Sequence, residues 1–162
     1  MMGPTMAQIN LETQRTVSAD MSRVAAFLRD YAQRPRILTN HFHDFAVEEG
    51  GQGAGTVFSY RLQTGRRERS YRMRVDEPTS GRTLRESDAG SSLVTTWTLT
   101  PGGEGRETRV VISSTWRGAE GVGGFFERRF APAVLRRIYA QMLERLEGAL
   151  RDTAAPTAGP RP

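Results

Sequence analysis

The chain has 162 residues, enough for one domain with a core of its own, and no apolar run in it approaches the roughly 20 residues that a membrane helix needs. It contains neither cysteine nor lysine, which excludes disulfides, thiolate nucleophiles, cysteine-ligated metals and Schiff-base chemistry. All 23 basic residues are therefore arginine, and with 18 acidic residues they leave a net charge of +5.

Residues 1–8 carry no core pattern and no secretory signal, and are expected to be a flexible leader to a domain spanning 9–151 in a cytoplasmic protein. Ile9, Leu11, Thr13, Arg15 and Val17 share one parity, which reads as a strand. Ser18 is placed to cap a helix running through Val24, Ala25, Phe27 and Leu28. Arg34-Pro35 interrupts it, and a second short helical piece reaches Leu38. His41, His43, Phe45 and Val47 then fall on one side of a further strand. Gly50, Gly51, Gly53 and Gly55 turn the chain into a strand from Thr56 to Gln63, which aligns Phe58, Tyr60 and Leu62. Gly65 marks a hairpin, and the return from Glu68 to Val75 aligns Tyr71, Met73 and Val75.

Pro78 and Gly81 lead to a short strand around Leu84 and Glu86. Leu93, Thr95, Trp97 and Leu99 share a face of the next strand, and Val110, Ile112, Ser114 and Trp116 a face of the last. Such short connections predict an antiparallel meander. After Gly121 to Gly124 the spacing turns helical through Phe126, Phe130, Val134, Ile138, Met142, Leu146 and Ala149. A helix of about 26 residues would span roughly 39 Å, enough to cross the whole sheet. Pro132 predicts a kink or break near Arg129, and residues 152–162 read as a disordered Ala/Pro/Gly tail.

Three stretches carry a resemblance: Arg15-Thr16-Val17-Ser18-Ala19-Asp20 ahead of Val24 and Phe27, Glu49-Gly50-Gly51-Gln52-Gly53-Ala54-Gly55-Thr56 ahead of a strand, and the glycine-rich entry to the last helix. With the order of elements, they make the chain resemble the START-like (SRPBCC) superfamily from about Ile9 to Leu150, and within it the bacterial polyketide cyclase/dehydrase-like proteins. The resemblance implies an α+β helix-grip fold of the START and Bet v 1 kind. In it a curved antiparallel sheet of six or seven strands wraps on a long C-terminal helix, with two short helices after the first strand. It also implies a cavity that holds lipids, hormones, polyketides or aromatic compounds. These marks are structural, and no catalytic signature carries over from them.

If the aligned apolar residues face the helix, then Tyr60, Tyr71, Thr95, Trp97, Ser114, Trp116 and Glu86 face it too. Aromatic walls with few polar groups are the make-up of a small-molecule site. Tyr60, Tyr71, Trp97, Trp116, Phe126 and Phe130 are expected to give apolar contact, while Thr95 and Ser114 orient a ligand by hydrogen bonds. Any one of them alone would equally serve as core. Glu86 has two readings. Buried, it would have a raised pKa and could act as general acid or base; at a strand edge near Arg85 it would be solvated or paired. His43 could move a proton near neutrality, and Tyr71 is the third such candidate. His41 and His43 could begin a metal site, but Asp44 takes the other parity and the chain has no third histidine, so neither metal nor cofactor is expected.

The all-arginine basic set fits either an anionic partner or a codon bias that replaces lysine, and the interspersed acids favour the bias. Arg66, Arg67, Arg69, Arg72 and Arg74 form the densest cluster. Tyr71 and Met73 take the opposite parity from Arg72 and Arg74, so the cluster reads as a solvated face answered by Glu68, Asp76 and Glu77, with no nucleic-acid partner. The leading functional reading is a carrier or sensor of a hydrophobic, aromatic or polycyclic small molecule. The alternative is a cyclase, aromatase or dehydratase acting on a poly-β-carbonyl chain, with Glu86, Tyr71 or His43 moving protons. A third is a regulatory interaction protein whose cavity is filled by its own side chains. The oligomeric state stays open between monomer and homodimer.

Overall fold

The computed structural model describes residues 8–117 and 131–158. Its strands are β1 (Gln8–Val17), β2 (Phe42–Glu49), β3 (Val57–Thr64), β4 (Arg67–Asp76), β5 (Thr83–Asp88), β6 (Val94–Gly102) and β7 (Glu107–Arg117). They form one antiparallel sheet in the order β1-β7-β6-β5-β4-β3-β2. Helix α1 (Met21–Arg29) and a 3-10 turn (Arg34–Ile37) lie between β1 and β2, and α2 (Ala131–Ala158) follows β7. This is the expected α+β helix-grip architecture. None of the described helices is long and apolar enough to cross a membrane.

Alternation along the strands decides which face is buried. Leu11 and Val17 on β1, Phe58 and Leu62 on β3, and Tyr71, Met73 and Val75 on β4 all point to the core. So do Trp97 and Leu99 on β6 and Val110 and Ile112 on β7. Against them α2 lays Leu135, Ile138, Tyr139, Met142, Leu143, Leu146, Ala149 and Leu150, a wider stripe than the sequence spacing alone marked out. Three arginines hold the helix to the elements before it. Arg15 pairs with Glu147 at 2.7 Å, Arg23 donates to the Leu150 carbonyl at 2.7 Å, and Arg145 donates to the Leu38 carbonyl at 3.3 Å.

Several local expectations are corrected. The α1 cap is Asp20, not Ser18: its carboxylate accepts the Arg23 N–H at 2.9 Å. The strict alternation from His41 to Val47 fails because Asp44 takes a left-handed φ of 58°, and the β2–β3 register shifts between His43 and Ala46. Phe42, opposite Leu62, and Phe45 therefore both pack against the core, while His43 lies opposite Arg61 and Val47 is exposed. Helix α2 runs to Ala158, past the point where the tail was expected to begin. Glu77 answers Arg29 at 2.7 Å, Asp76 answers Arg85 at 3.7 Å, and Glu68 pairs with Arg61, so these three acids neutralise partners outside the arginine cluster. Within the cluster, Arg72 pairs with Glu48 and Arg69 turns toward the buried Asp88. The leader up to residue 7, Gly121 to Gly124, Phe126, Phe130 and the kink near Arg129 lie outside the described residues.

Gly53 shows why the glycine-rich turn is built as it is. Its φ is 57°, and a Cβ there would sit 2.5 Å from both the Arg29 guanidinium and the Glu77 carboxylate. The bare backbone lets that ion pair close over the turn, where Glu77 also accepts the Ala54 N–H at 3.1 Å.

Candidate functional site

Between the concave face of the sheet and α2 lies an apolar cavity. Phe58, Tyr60, Trp97 and Ile112 form its floor, Leu38 and Phe42 one side, and Leu135, Tyr139 and Met142 the helix side. Its volume is about 30 Å³, room for about two waters. Two polar groups interrupt these walls.

The first is a buried ion pair. Arg34 opens the 3-10 turn beside Pro35, which fixes the chain direction there. Glu86 points inward from β5, between Leu84 and Asp88. The two side chains meet at 2.8 Å, and each residue is at most 4% exposed. The same Glu86 oxygen accepts the Tyr31 hydroxyl at 2.6 Å, and its other oxygen accepts the Trp97 indole N–H at 3.3 Å. The guanidinium lies 4.6 Å from the centre of the Tyr31 ring, 4.9 Å from Trp97 and 5.7 Å from Phe58, a three-ring cation–π box. Burial works against the Arg34 charge, but Glu86 and Tyr31 together outweigh it and hold the guanidinium pKa above its ordinary value. Burial, reinforced by Glu86, pushes the Tyr31 phenol far up, so it remains a neutral donor.

The second is a group of hydroxyls. Thr95 on β6 lies opposite Glu86 on one side and opposite Ser114 of β7 on the other, so the three inward side chains form a polar row across three strands. Thr95 and Ser114 are 2.7 Å apart, and the Ser114 hydroxyl is 2.6 Å from the Tyr139 hydroxyl on α2. Burial raises the Tyr139 pKa, with the nearby hydroxyls of Ser114 and Thr95 acting in the opposite direction.

The sequence-predicted residues separate accordingly. Tyr60, Thr95, Trp97 and Glu86 line the cavity, and Ser114 stands directly behind Thr95 and Tyr139. Tyr71 and Trp116 are buried on the same face but are not among the residues that line it; Tyr71 packs against Tyr60 at 5.4 Å between ring centres. His43 is on the Arg61 side of β2, away from the cavity. His41 bonds to Thr39 at 2.8 Å, and partial burial together with Arg137 lowers its pKa. Glu86 is neither solvated nor held by Arg85. Sequence reasoning missed Arg34, Tyr31 and Tyr139. Arg34 and Tyr31 left no pattern, but Tyr139 lies four residues after Leu135 and three before Met142, a spacing that places it on the same helix face.

The family profile described as polyketide cyclase / dehydrase and lipid transport matches residues 8–151. Among solved structures, the solution structure of the KanY protein is similar at 42% identity and a TM-score of 0.78, over 90% of this chain and 99% of that one. The Zhui aromatase/cyclase of a Streptomyces species is 18% identical with a TM-score of 0.71, over 95% of this chain and 100% of that one. The major latex-like protein 151 of Panax ginseng is 12% identical with a TM-score of 0.66, over 88% and 97% respectively. At such identities the last two share the fold alone. No curated protein matches the chain.

Proposed function

Because the chain belongs to the polyketide cyclase/dehydrase and lipid transport family, we propose that it binds a hydrophobic aromatic or polycyclic small molecule between sheet and C-terminal helix, as a carrier or sensor. The observation that carries this reading is the Arg34–Glu86 pair in the wall of a largely apolar cavity. A guanidinium has five N–H donors; the bond to Glu86 accounts for one, and the Tyr31 hydroxyl stands beside the same group. The remainder suit a ligand oxygen. Because Glu86 already balances the charge, a carbonyl or phenol fits better there than a carboxylate, which would lie beside another anion.

A polycyclic ligand exceeds about 30 Å³, so its entry displaces side chains on the helix side, of which Leu135 and Met142 are unbranched at Cβ and readily re-packed. Mass spectrometry of the freshly purified protein, native against denatured and with an organic extract, tests the proposal. A co-purifying aromatic molecule is expected. An empty protein that also fails to bind soluble aromatic probes would overturn it.

Two other readings have specific support. The narrow cavity favours a protein whose side chains fill it permanently and which acts through its surface. The family description, and the fold shared with an aromatase/cyclase, favour cyclisation of a poly-β-carbonyl substrate. In that case Glu86 is a poor choice of base, since its two oxygens already accept three donors. Turnover of such a substrate by a Glu86→Gln variant that remains folded would assign the proton transfer to another residue.

A further inference from the structure

Thr95, Ser114 and Tyr139 bring three hydroxyl protons into one small space, and among the described residues only two short contacts use them. The Thr95–Ser114 and Ser114–Tyr139 distances, 2.7 and 2.6 Å, are those of good O–H···O hydrogen bonds. The third side of the triangle, Thr95 to Tyr139, is 3.5 Å, beyond the usual range for such a bond. The group is therefore an open chain. Two protons are used within it and one is left over, and both chain ends, Thr95 and Tyr139, line the cavity.

We infer that this chain presents its surplus proton to an oxygen of the bound molecule, with Tyr139 as the residue that makes the contact. The inference rests on the ligand-binding reading above and deepens it. With an acceptor in the cavity, the favoured arrangement runs from Thr95 to Ser114 to Tyr139 to the ligand. A phenol is a stronger acid than an aliphatic alcohol, so it makes the better terminal donor. Each hydroxyl behind it polarises the next, which strengthens that last bond. A carbonyl-bearing aromatic is thus preferred over the same hydrocarbon without oxygen. The polar row extends this selection toward Glu86 on the neighbouring strand and, through it, to Arg34 of the 3-10 turn.

The test uses a nearly isosteric pair of neutral probes, α-tetralone and tetralin, titrated into the full-length protein by calorimetry. The parent is expected to bind the ketone more tightly. Tyr139→Phe should weaken α-tetralone roughly two- to tenfold, the size of one neutral hydrogen bond, and leave tetralin unchanged. It should also return the carbonyl infrared band of the bound ketone toward its position in an apolar solvent. Ser114→Ala keeps the phenol but removes the donor behind it, and should give a smaller, ketone-specific loss. It keeps the inference open to test if Tyr139→Phe folds poorly. Equal losses for both probes, or an unmoved infrared band, would mean that Tyr139 only packs. Failure of the parent to bind either probe would overturn the ligand-binding reading itself, a result distinct from the first.

Discussion

Arg34 and Glu86 are so deeply buried that neither can be removed alone without leaving an uncompensated charge in the core. Arg34→Met or Glu86→Gln is expected to lower stability by about 3–5 kcal/mol. The double variant Arg34→Met/Glu86→Leu should recover most of that loss, because breaking the pair is what is costly. Urea unfolding of the three variants measures both effects. At this scale the sequence was least informative. The Arg-Pro-Arg segment reads as a helix interruption, and nothing local shows that its first arginine meets a carboxylate 52 positions away. The parity of Glu86 was visible, but its environment was not, since it is made by Tyr31 from the turn after α1 and Trp97 from β6. Thr95 and Ser114 could be read as facing inward, yet the partner that occupies them is a tyrosine supplied by α2.

Among the elements, the end of α1, the glycine-rich turn and the chain just after β4 are joined through Glu77, which bonds both Arg29 and the Ala54 N–H. The Arg29 hydrogen bond holds the Glu77 pKa below its ordinary value. Folding therefore favours its ionised form. The stabilisation is fully present above the unfolded value of about 4.3 and is lost as pH falls through the depressed folded value. The urea midpoint of the parent should exceed that of Glu77→Gln near neutrality, and the gap should close in strong acid. Element identity was legible wherever one face alternated cleanly, as along Tyr71, Met73 and Val75 or Thr95, Trp97 and Leu99. It failed in β2, where Asp44 at positive φ adds a residue to the strand and exchanges the faces of Phe42 and His43. A two-residue period cannot report a bulge, because a bulge is a change in that period.

For the molecule as a whole, the cavity and the stability of the core are opposed quantities. Met142→Ala, which removes helix-side volume, should cost about 2–5 kcal/mol in unfolding free energy and at the same time tighten α-tetralone binding. Unfolding and calorimetry on one sample test both; a loss of stability with no gain in binding would favour the permanently filled interior. The topology has a further consequence, for the chain as it is being made. Each strand from β2 to β7 pairs with its neighbour in sequence, so each hairpin can form as soon as it leaves the ribosome. β1 is synthesised before them, but among the described strands it pairs with β7, where Gln8 meets Arg117. Its partner does not yet exist when β1 emerges, and closing so long a loop carries the largest entropic cost in the sheet. The beginning of the domain is thus the last strand to find its place, and β7 stays an unpaired edge until it returns.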